Sequence, residues 1–337
     1  MRWGVVGSSD FALGSVVPAL HASTNSELRA IVTRDPARVT AMFDDPSVVV
    51  TSRLADLVDA GVEIVHLVVP NNLHLPLALE CFSLGLSVLV EKPMALNVEE
   101  AEQLSTAAAA SGLLLAVGSC MAWSPVVTRA GQLLAAGELG RVFHAELSVA
   151  FDTGENRGWR QLTPTLGGGG VLNDLGAHAI DALVRLFGPV ESVSAILATT
   201  LPNHASDDTA SLLLRHPEAV TSAVHLGFTH GCNDFAVVSQ NGRLTSTEWL
   251  GRRFAGDLVF DRGTVDAARF EIARHDRVDE LAGTRPTDVV ERQADEVSAA
   301  IRGEGELEHA DVATGLHVMR VIHAAIRSSE TGRREAV

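Results

Sequence analysis

The chain has 337 residues, 46% of them hydrophobic and 20% charged, a length beyond the point at which single cores usually divide and a composition ordinary for globular proteins. Its 42 acidic against 26 basic residues give a formal net charge of −16, which repels polyanions, and no clustered Lys/Arg run offsets that repulsion, so nucleic acid and anionic membranes are excluded as partners. No apolar run reaches the roughly 18–20 residues that span a bilayer, and no basic, apolar and small-residue sequence of a secretory signal precedes the first strand.

Three separated cysteines, Cys81, Cys120 and Cys232, make neither a disulfide framework nor a thiolate metal site. These features predict a cytoplasmic protein. From residue 1 to 120, short apolar runs alternate with amphipathic stretches, the pattern of βαβ units and a parallel, doubly wound sheet. Strands are predicted at Trp3–Val6, Leu28–Val32, Ser47–Val50, Ile64–Val69, Ser87–Val90 and Leu113–Val117, with helices at Leu73–Leu84 and Val98–Ala110. This is the reading of an N-terminal Rossmann domain.

The texture changes over residues 121–337. A helix around Val126–Ala136 and a strand near Val142–Phe151 lead to Gly167-Gly168-Gly169-Gly170 and a helix over Val171–Phe187. Alternating runs follow at Val193–Thr199, Thr209–Leu214, Val220–Phe228, Phe235–Ser239, Arg243–Thr247 and Leu258–Asp261, with turn signals such as Asn241-Gly242. Short turns between alternating strands predict a mostly antiparallel sheet in a second α/β domain. Helices at Asp288–Ile301 and Asp311–Arg327 close the chain and are candidates to pack back on the first domain.

The first strand enters Gly7-Ser8-Ser9-Asp10-Phe11-Ala12. A sharp turn there aims the amides of the next helix at a pyrophosphate: Gly7 serves the turn, Ala12 the close helix packing. Ser9 replaces the middle glycine of the usual G-x-G-x-x-G/A pattern, and its hydroxyl can donate to phosphate. The second strand ends at Thr33-Arg34-Asp35-Pro36-Ala37-Arg38. Thr33, Arg34 and Arg38 suit a ribose 2′-phosphate, which favours NADP(H). NAD(H) remains the alternative, with Asp35 taking the ribose hydroxyl.

Pro70-Asn71 with His74, and Glu91-Lys92-Pro93, follow the fourth and fifth strands, at the carboxyl ends where open α/β sheets hold ligands. An ammonium at Lys92 can stabilise negative charge on a reacting oxygen. Asp174 and His178 stand four apart on one helix face; hydride transfer to a carbonyl needs a proton donor, and a histidine steadied by a carboxylate one turn away supplies one. The 13 histidines show no compact ligand spacing, so no metal is predicted.

In this order Gly7, Pro70-Asn71 with His74, Glu91-Lys92-Pro93, Trp159-Arg160, the glycine run with Asp174, His178 and Asp181, and the ending at Ser328–Arg334 resemble the glucose-fructose oxidoreductase / inositol dehydrogenase / MocA (Gfo/Idh/MocA) family. The opening Arg2–Ser9 looks most like its anhydrofructose-reductase branch, in which serine also replaces the middle glycine and NADPH is used. The resemblance implies catalytic roles for Lys92, Asp174 and His178, and a cofactor-side loop at Trp159 and Arg160. It also implies a small polyhydroxylated substrate such as a keto-sugar, sugar derivative or cyclitol, and a homodimer or homotetramer built through the open C-terminal sheet. An NAD-dependent inositol-type dehydrogenase and a non-catalytic NAD(P)-sensing regulator are the alternatives. With no tyrosine in the chain, a Tyr/Lys mechanism is excluded. Cys120 and Ala122 depart from the Asn and Arg common in the family.

Overall fold

Strands that are buried on both faces need apolar residues at consecutive positions, and six such runs assemble into a parallel sheet. In the computed structural model, which describes residues 1–43, 45–152, 169–202, 204–229, 231–250, 257–261, 265–266, 271–272, 276–280 and 285–337, these are β1 (Arg2–Val6), β2 (Glu27–Val32), β3 (Val49–Thr51), β4 (Ile64–Leu67), β5 (Ser87–Glu91) and β6 (Leu115–Gly118). Their order is β3-β2-β1-β4-β5-β6. The chain winds outward from β1 through β2 and β3, then returns to β1's other side with β4, so the order reverses between β1 and β4. The helices are α1 (Val17–Ala22), α2 (Pro36–Met42), α3 (Asp56–Asp59), α4 (His74–Ser83), α5 (Val98–Ser111), α6 (Pro125–Ala135), α7 (Ala177–Phe187), α8 (Pro286–Ile301) and α9 (Val312–Thr331). Among the described residues, no helix is long and apolar enough to cross a membrane.

The chain divides into two compact units, one of Met1–Cys120 with Pro286–Met319, the other of the described residues of 121–285 with Arg320–Val337. In the first, alternate strand positions feed two cores. Trp3, Val5, Ile31, Ile64, Leu89 and Ala116 pack with Val290, Ala294 and Val297 of α8, while Val65, Leu67, Val88, Val90 and Val117 pack with Ala101 and Leu104 of α5. Trp3 is fully buried, and its indole N–H finds Ser298 Oγ on α8 at 3.2 Å, which answers the polar end of an otherwise apolar side chain.

The second unit holds a nine-stranded sheet ordered β16-β13-β12-β11-β7-β10-β9-β8-β17. Its strands are β7 (Val142–Ala150), β8 (Ser192–Ala198), β9 (Thr209–Arg215), β10 (Thr221–Gly227), β11 (Cys232–Ser239), β12 (Gly242–Ser246), β13 (Asp257–Asp261), β16 (Asp276–Glu280) and β17 (Glu335–Ala336), with a separate pair β14 (Val265–Asp266) and β15 (Glu271–Ile272). Every pairing in the large sheet is antiparallel except β7 with β10. Along β9, Ala210, Leu212 and Leu214 are buried while Ser211, Leu213 and Arg215 are exposed, the period-two pattern of a sheet with one open face.

The mostly antiparallel expectation therefore holds, with one parallel pair that no local signal announces. The third predicted strand starts two residues later than expected and ends one later, at Val49–Thr51. The helix predicted from Val171 opens with a π turn over Leu172–Gly176 before α7.

Candidate functional site

The glycine turn is fixed by backbone geometry. Gly7 has φ +124° and donates its N–H to the Val32 carbonyl at 2.9 Å; a Cβ here would collide with the Val68 carbonyl oxygen. Any other residue is barred twice over, by conformation and by space. Ser9 then accepts the Ala12 N–H on its hydroxyl oxygen at 3.2 Å, as a helix-capping serine does, which leaves the Ser9 O–H free to donate outward. A π turn over Ala12–Val16 follows before α1; such turns recur at functional sites. Ala12 is fully buried and Phe11 is 41% exposed, while Ser9 and Asp10 are exposed.

The end of β2 joins this turn. Thr33 Oγ1 donates to Ser8 Oγ at 2.9 Å. Arg38 Nη2 donates to the Ser8 carbonyl oxygen at 2.9 Å and lies 3.3 Å from Ser8 Oγ. Asp35 is engaged otherwise: its Oδ1 accepts the Arg38 N–H at 3.1 Å and caps α2. Ser8, Thr33 and Arg38 thus form one polar cluster, with Arg34 exposed beside it. A glycine-bounded turn, outward hydroxyls and a guanidinium are a donor set suited to phosphate oxygens, so these residues fit a dinucleotide.

At the carboxyl ends of β4 and β5 the chain builds a second cluster. Asn71 is buried in the turn Asn71–Leu73 that leads into α4, with Pro70 before it. His74 is fully buried; its Nδ1 lies 3.1 Å from the Pro93 carbonyl and its Nε2 3.1 Å from the Val69 carbonyl. Burial holds this imidazole below its usual range, against the opposing pull of the Val69 carbonyl. With no exposed surface, His74 is placed to tie the two loops together rather than to touch a ligand. Glu91 closes β5, half-buried, with Lys92 half-buried beside it and a cis peptide bond between Lys92 and Pro93.

Glu91 has a partner that sequence reasoning did not identify. His66 on β4 is fully buried, and its Nε2 lies 3.0 Å from Glu91 Oε1. The available signal was one imidazole within Ile64-Val65-His66-Leu67-Val68, an apolar strand with no reason to carry a polar group unless it is bonded.

In the second unit, the π turn Leu172–Gly176 and α7 carry Asp174 and His178. From Val171 to Leu183 the helix is buried except at Asn173, Asp174 and His178, which are half-buried. The two residues singled out by spacing are thus on a polar opening in an apolar helix. Asp181 forms an ion pair with Arg185, Oδ2 to Nε 2.9 Å. Asp207 holds the start of this helix: its carbonyl accepts the Val171 N–H and its Oδ2 the Leu172 N–H, each at 2.8 Å. A Cβ on Gly170 would strike that same Asp207 carbonyl, so this glycine serves chain-to-chain approach. Asp207 was also missed by sequence reasoning, since its partners lie 35 positions away; burial raises its carboxyl above the usual range.

Trp159, Arg160, Gly167 and Gly168 lie outside the described residues. Cys120 and Ala122 fall in the turn Cys120–Trp123, Cys120 half-buried and Ala122 buried. Among the described residues, no group of three or more His, Cys, Asp or Glu is arranged to hold a metal ion.

Residues 1–119 match the family model described as the oxidoreductase family, NAD-binding Rossmann fold, and residues 127–245 match that of the GFO/IDH/MocA C-terminal domain. D-xylose 1-dehydrogenase (NADP(+)) 2 of Haloferax volcanii is 28% identical over 336 residues, covering 98% of each chain. The 1,5-anhydro-D-fructose reductase of Ensifer adhaerens is 27% identical over 237 residues, 68% of this chain and 69% of that one. In fold, the chain superposes on an aldose-aldose oxidoreductase from Caulobacter crescentus, solved with glycerol, with a TM-score of 0.87 at 23% identity, covering 100% of this chain and 99% of the other.

Proposed function

This chain belongs to the Gfo/Idh/MocA family of NAD(P)-dependent oxidoreductases, and from that premise we propose that it is an NADP(H)-dependent reductase or dehydrogenase of a keto-sugar, sugar derivative or cyclitol. The observation that carries the cofactor choice is the division of labour at the end of β2. Asp35, the residue able to accept from a free ribose hydroxyl, caps α2 through its Oδ1, while Arg38 reaches back to Ser8 beside Thr33. A ribose 2′-phosphate brings about two negative charges to that corner, and a guanidinium with neighbouring hydroxyls is its natural partner.

When bound, the nicotinamide supplies or accepts the hydride. Lys92 polarises the reacting oxygen and stabilises the charge that grows on it. The role that the family resemblance gives His178 is proton donor in reduction and acceptor in oxidation, with Asp174 orienting the imidazole or holding a substrate hydroxyl. The substrate class rests on the names of the relatives, which act on pentose and anhydro-sugar substrates.

The open sheet face supports self-association. Ile196 and Leu213 are 73% and 64% exposed, and Leu213 pairs with Ser194, two residues from Ile196 on the same face of β8. Apolar side chains on a flat sheet face favour burial against a second copy. Titration of the purified protein with NADPH and NADH, followed by absorbance assays with each on aldoses, keto-sugars and cyclitol ketones, tests the reading. Tighter binding and faster turnover with NADPH are expected; a preference for NADH overturns the cofactor choice.

A further inference from the structure

On the face of the first sheet that packs against α8, alternate positions of β4 and β5 are Ile64, His66, Leu89 and Glu91. An aliphatic side chain in place of His66 would bury well there. An imidazole costs desolvation, which a hydrogen bond to a charged acceptor offsets. That bond is the 3.0 Å contact from Nε2 to Glu91 Oε1, with side-chain exposures of 1% and 17%. A carboxylate has only acceptors to offer, so Nε2 carries the hydrogen. Nδ1 is buried and has no hydrogen-bond partner among the described residues, which assigns it the lone pair.

The location gives this bond its use. Glu91 is the last residue of β5, in register with Gly118 on β6, at the carboxyl edge of the sheet and directly before Lys92. In a doubly wound dinucleotide fold each half of the sheet takes one nucleotide. The β1-β2-β3 half carries Ser8, Thr33 and Arg38 and takes the adenosine end; the β4-β5-β6 half takes the nicotinamide end. A carboxylate there accepts from ribose hydroxyls or a carboxamide, provided it is held in one orientation, because a freely rotating acid loses that freedom on binding.

We propose that His66 is a positioning residue that fixes the Glu91 carboxylate for the nicotinamide half of the cofactor, an assignment that rests on the dinucleotide reading above. His66→Phe removes the donor and keeps an aromatic ring in the core. His66→Gln keeps an N–H at a similar distance.

Calorimetric titration of the full chain with NADPH, NADH and 2′,5′-ADP separates the two ends of the ligand, since 2′,5′-ADP lacks the nicotinamide nucleotide. In His66→Phe, NADPH binding weakens by about ten-fold, 2′,5′-ADP binding is unchanged, and His66→Gln recovers most of the loss. Equal weakening of both ligands, or unchanged NADPH binding, overturns the assignment. If His66→Phe does not fold, the wild-type ring still reports: a long-range ¹H–¹⁵N spectrum shows the Nε2–H tautomer if the assignment holds, and the Nδ1–H tautomer refutes it. A wild-type chain that binds neither dinucleotide refutes the cofactor reading itself and this role with it, whereas a chain that binds NADPH without the selective pattern refutes His66 alone.

Discussion

Two helices of this protein begin through the same uncommon π turn, Ala12–Val16 and Leu172–Gly176, and they are finished differently. At the first, the preceding residues Ser9, Asp10 and Phe11 are exposed, and the cap comes from within, through Ser9. At the second, the leading amides of Val171 and Leu172 are already taken by Asp207, which comes from the segment leading into β9. A helix start left open to solvent offers backbone donors to an anionic ligand. One closed by another part of the chain can offer only side chains, and here these are Asp174 and His178. On the proposed function, the same local geometry serves binding at one place and chemistry at the other, according to what satisfies the amides.

If that contrast holds, damage at the two helices separates binding from turnover. The largest effect is expected at the closed one: His178→Ala lowers kcat by about 10²–10⁴-fold, the range for loss of a general acid, with the dinucleotide Kd unchanged. Stopped-flow turnover beside a binding titration measures both, and a matching loss of cofactor affinity would break the contrast. Beside the other helix, where Arg38 of α2 reaches the Ser8 carbonyl, the pattern inverts. Arg38→Ala weakens NADPH by about ten-fold or more through loss of a charge-assisted bond to phosphate, leaves NADH binding nearly as it was, and spares kcat at saturation. Equal losses for both dinucleotides would show that Arg38 shapes the loop instead of reading a phosphate.

A third expectation concerns two buried imidazoles, His74 between the Val69 and Pro93 carbonyls and His216 just after β9, whose Nδ1 lies 3.1 Å from the Gly188 carbonyl and Nε2 2.9 Å from Ser222 Oγ. Burial holds His74 and His216 below their ordinary range, so each takes up a proton less readily in the folded protein than in the unfolded chain, which titrates near 6.5. Their contribution is present in full above that value and is lost as pH falls below it, with a slope of up to about 1.4 kcal/mol per pH unit for each proton. Denaturant melts between pH 7 and pH 5 should show stability falling, and a His74→Asn/His216→Asn variant should flatten the slope.

The smallest effect sharpens the closed helix. Burial raises the Asp207 carboxyl, so its share of stability is present at low pH and lost as pH rises through the folded value. Asp207→Asn keeps an acceptor for the Leu172 N–H and removes the buried charge, so its stability at neutral pH equals or exceeds that of the wild type. Asp207→Ala loses the cap and costs about 1 kcal/mol. Chemical denaturation distinguishes them; equal destabilisation by both would deny the cap.

Legibility in the sequence follows the range of the interactions. Strands of the parallel sheet were readable because burial on both faces leaves continuous apolar runs, and Gly7 because a strand-to-helix turn needs it. The placement of Asp174 and His178 along one helical segment was readable from their spacing. What escaped depends on partners distant in the chain. Hydropathy marks His66 as an interruption without naming Glu91, 25 positions away. The parallel pairing of β7 with β10 joins segments separated by two intervening strands, and β17, two residues long, is too short to show a period. His74 was readable as standing beyond the end of the fourth strand, but its burial between the Val69 and Pro93 carbonyls was not.

The central claim, hydride exchange between NADP(H) and a sugar carbonyl assisted by Lys92, is tested most directly by following NADPH absorbance with the substrate panel in the wild type and in Lys92→Ala. Consumption of NADPH on at least one keto-sugar or cyclitol ketone, reduced by about 10²-fold or more in the variant with its fold and NADPH affinity intact, is the predicted result. Turnover in Lys92→Ala equal to the wild type would contradict the account.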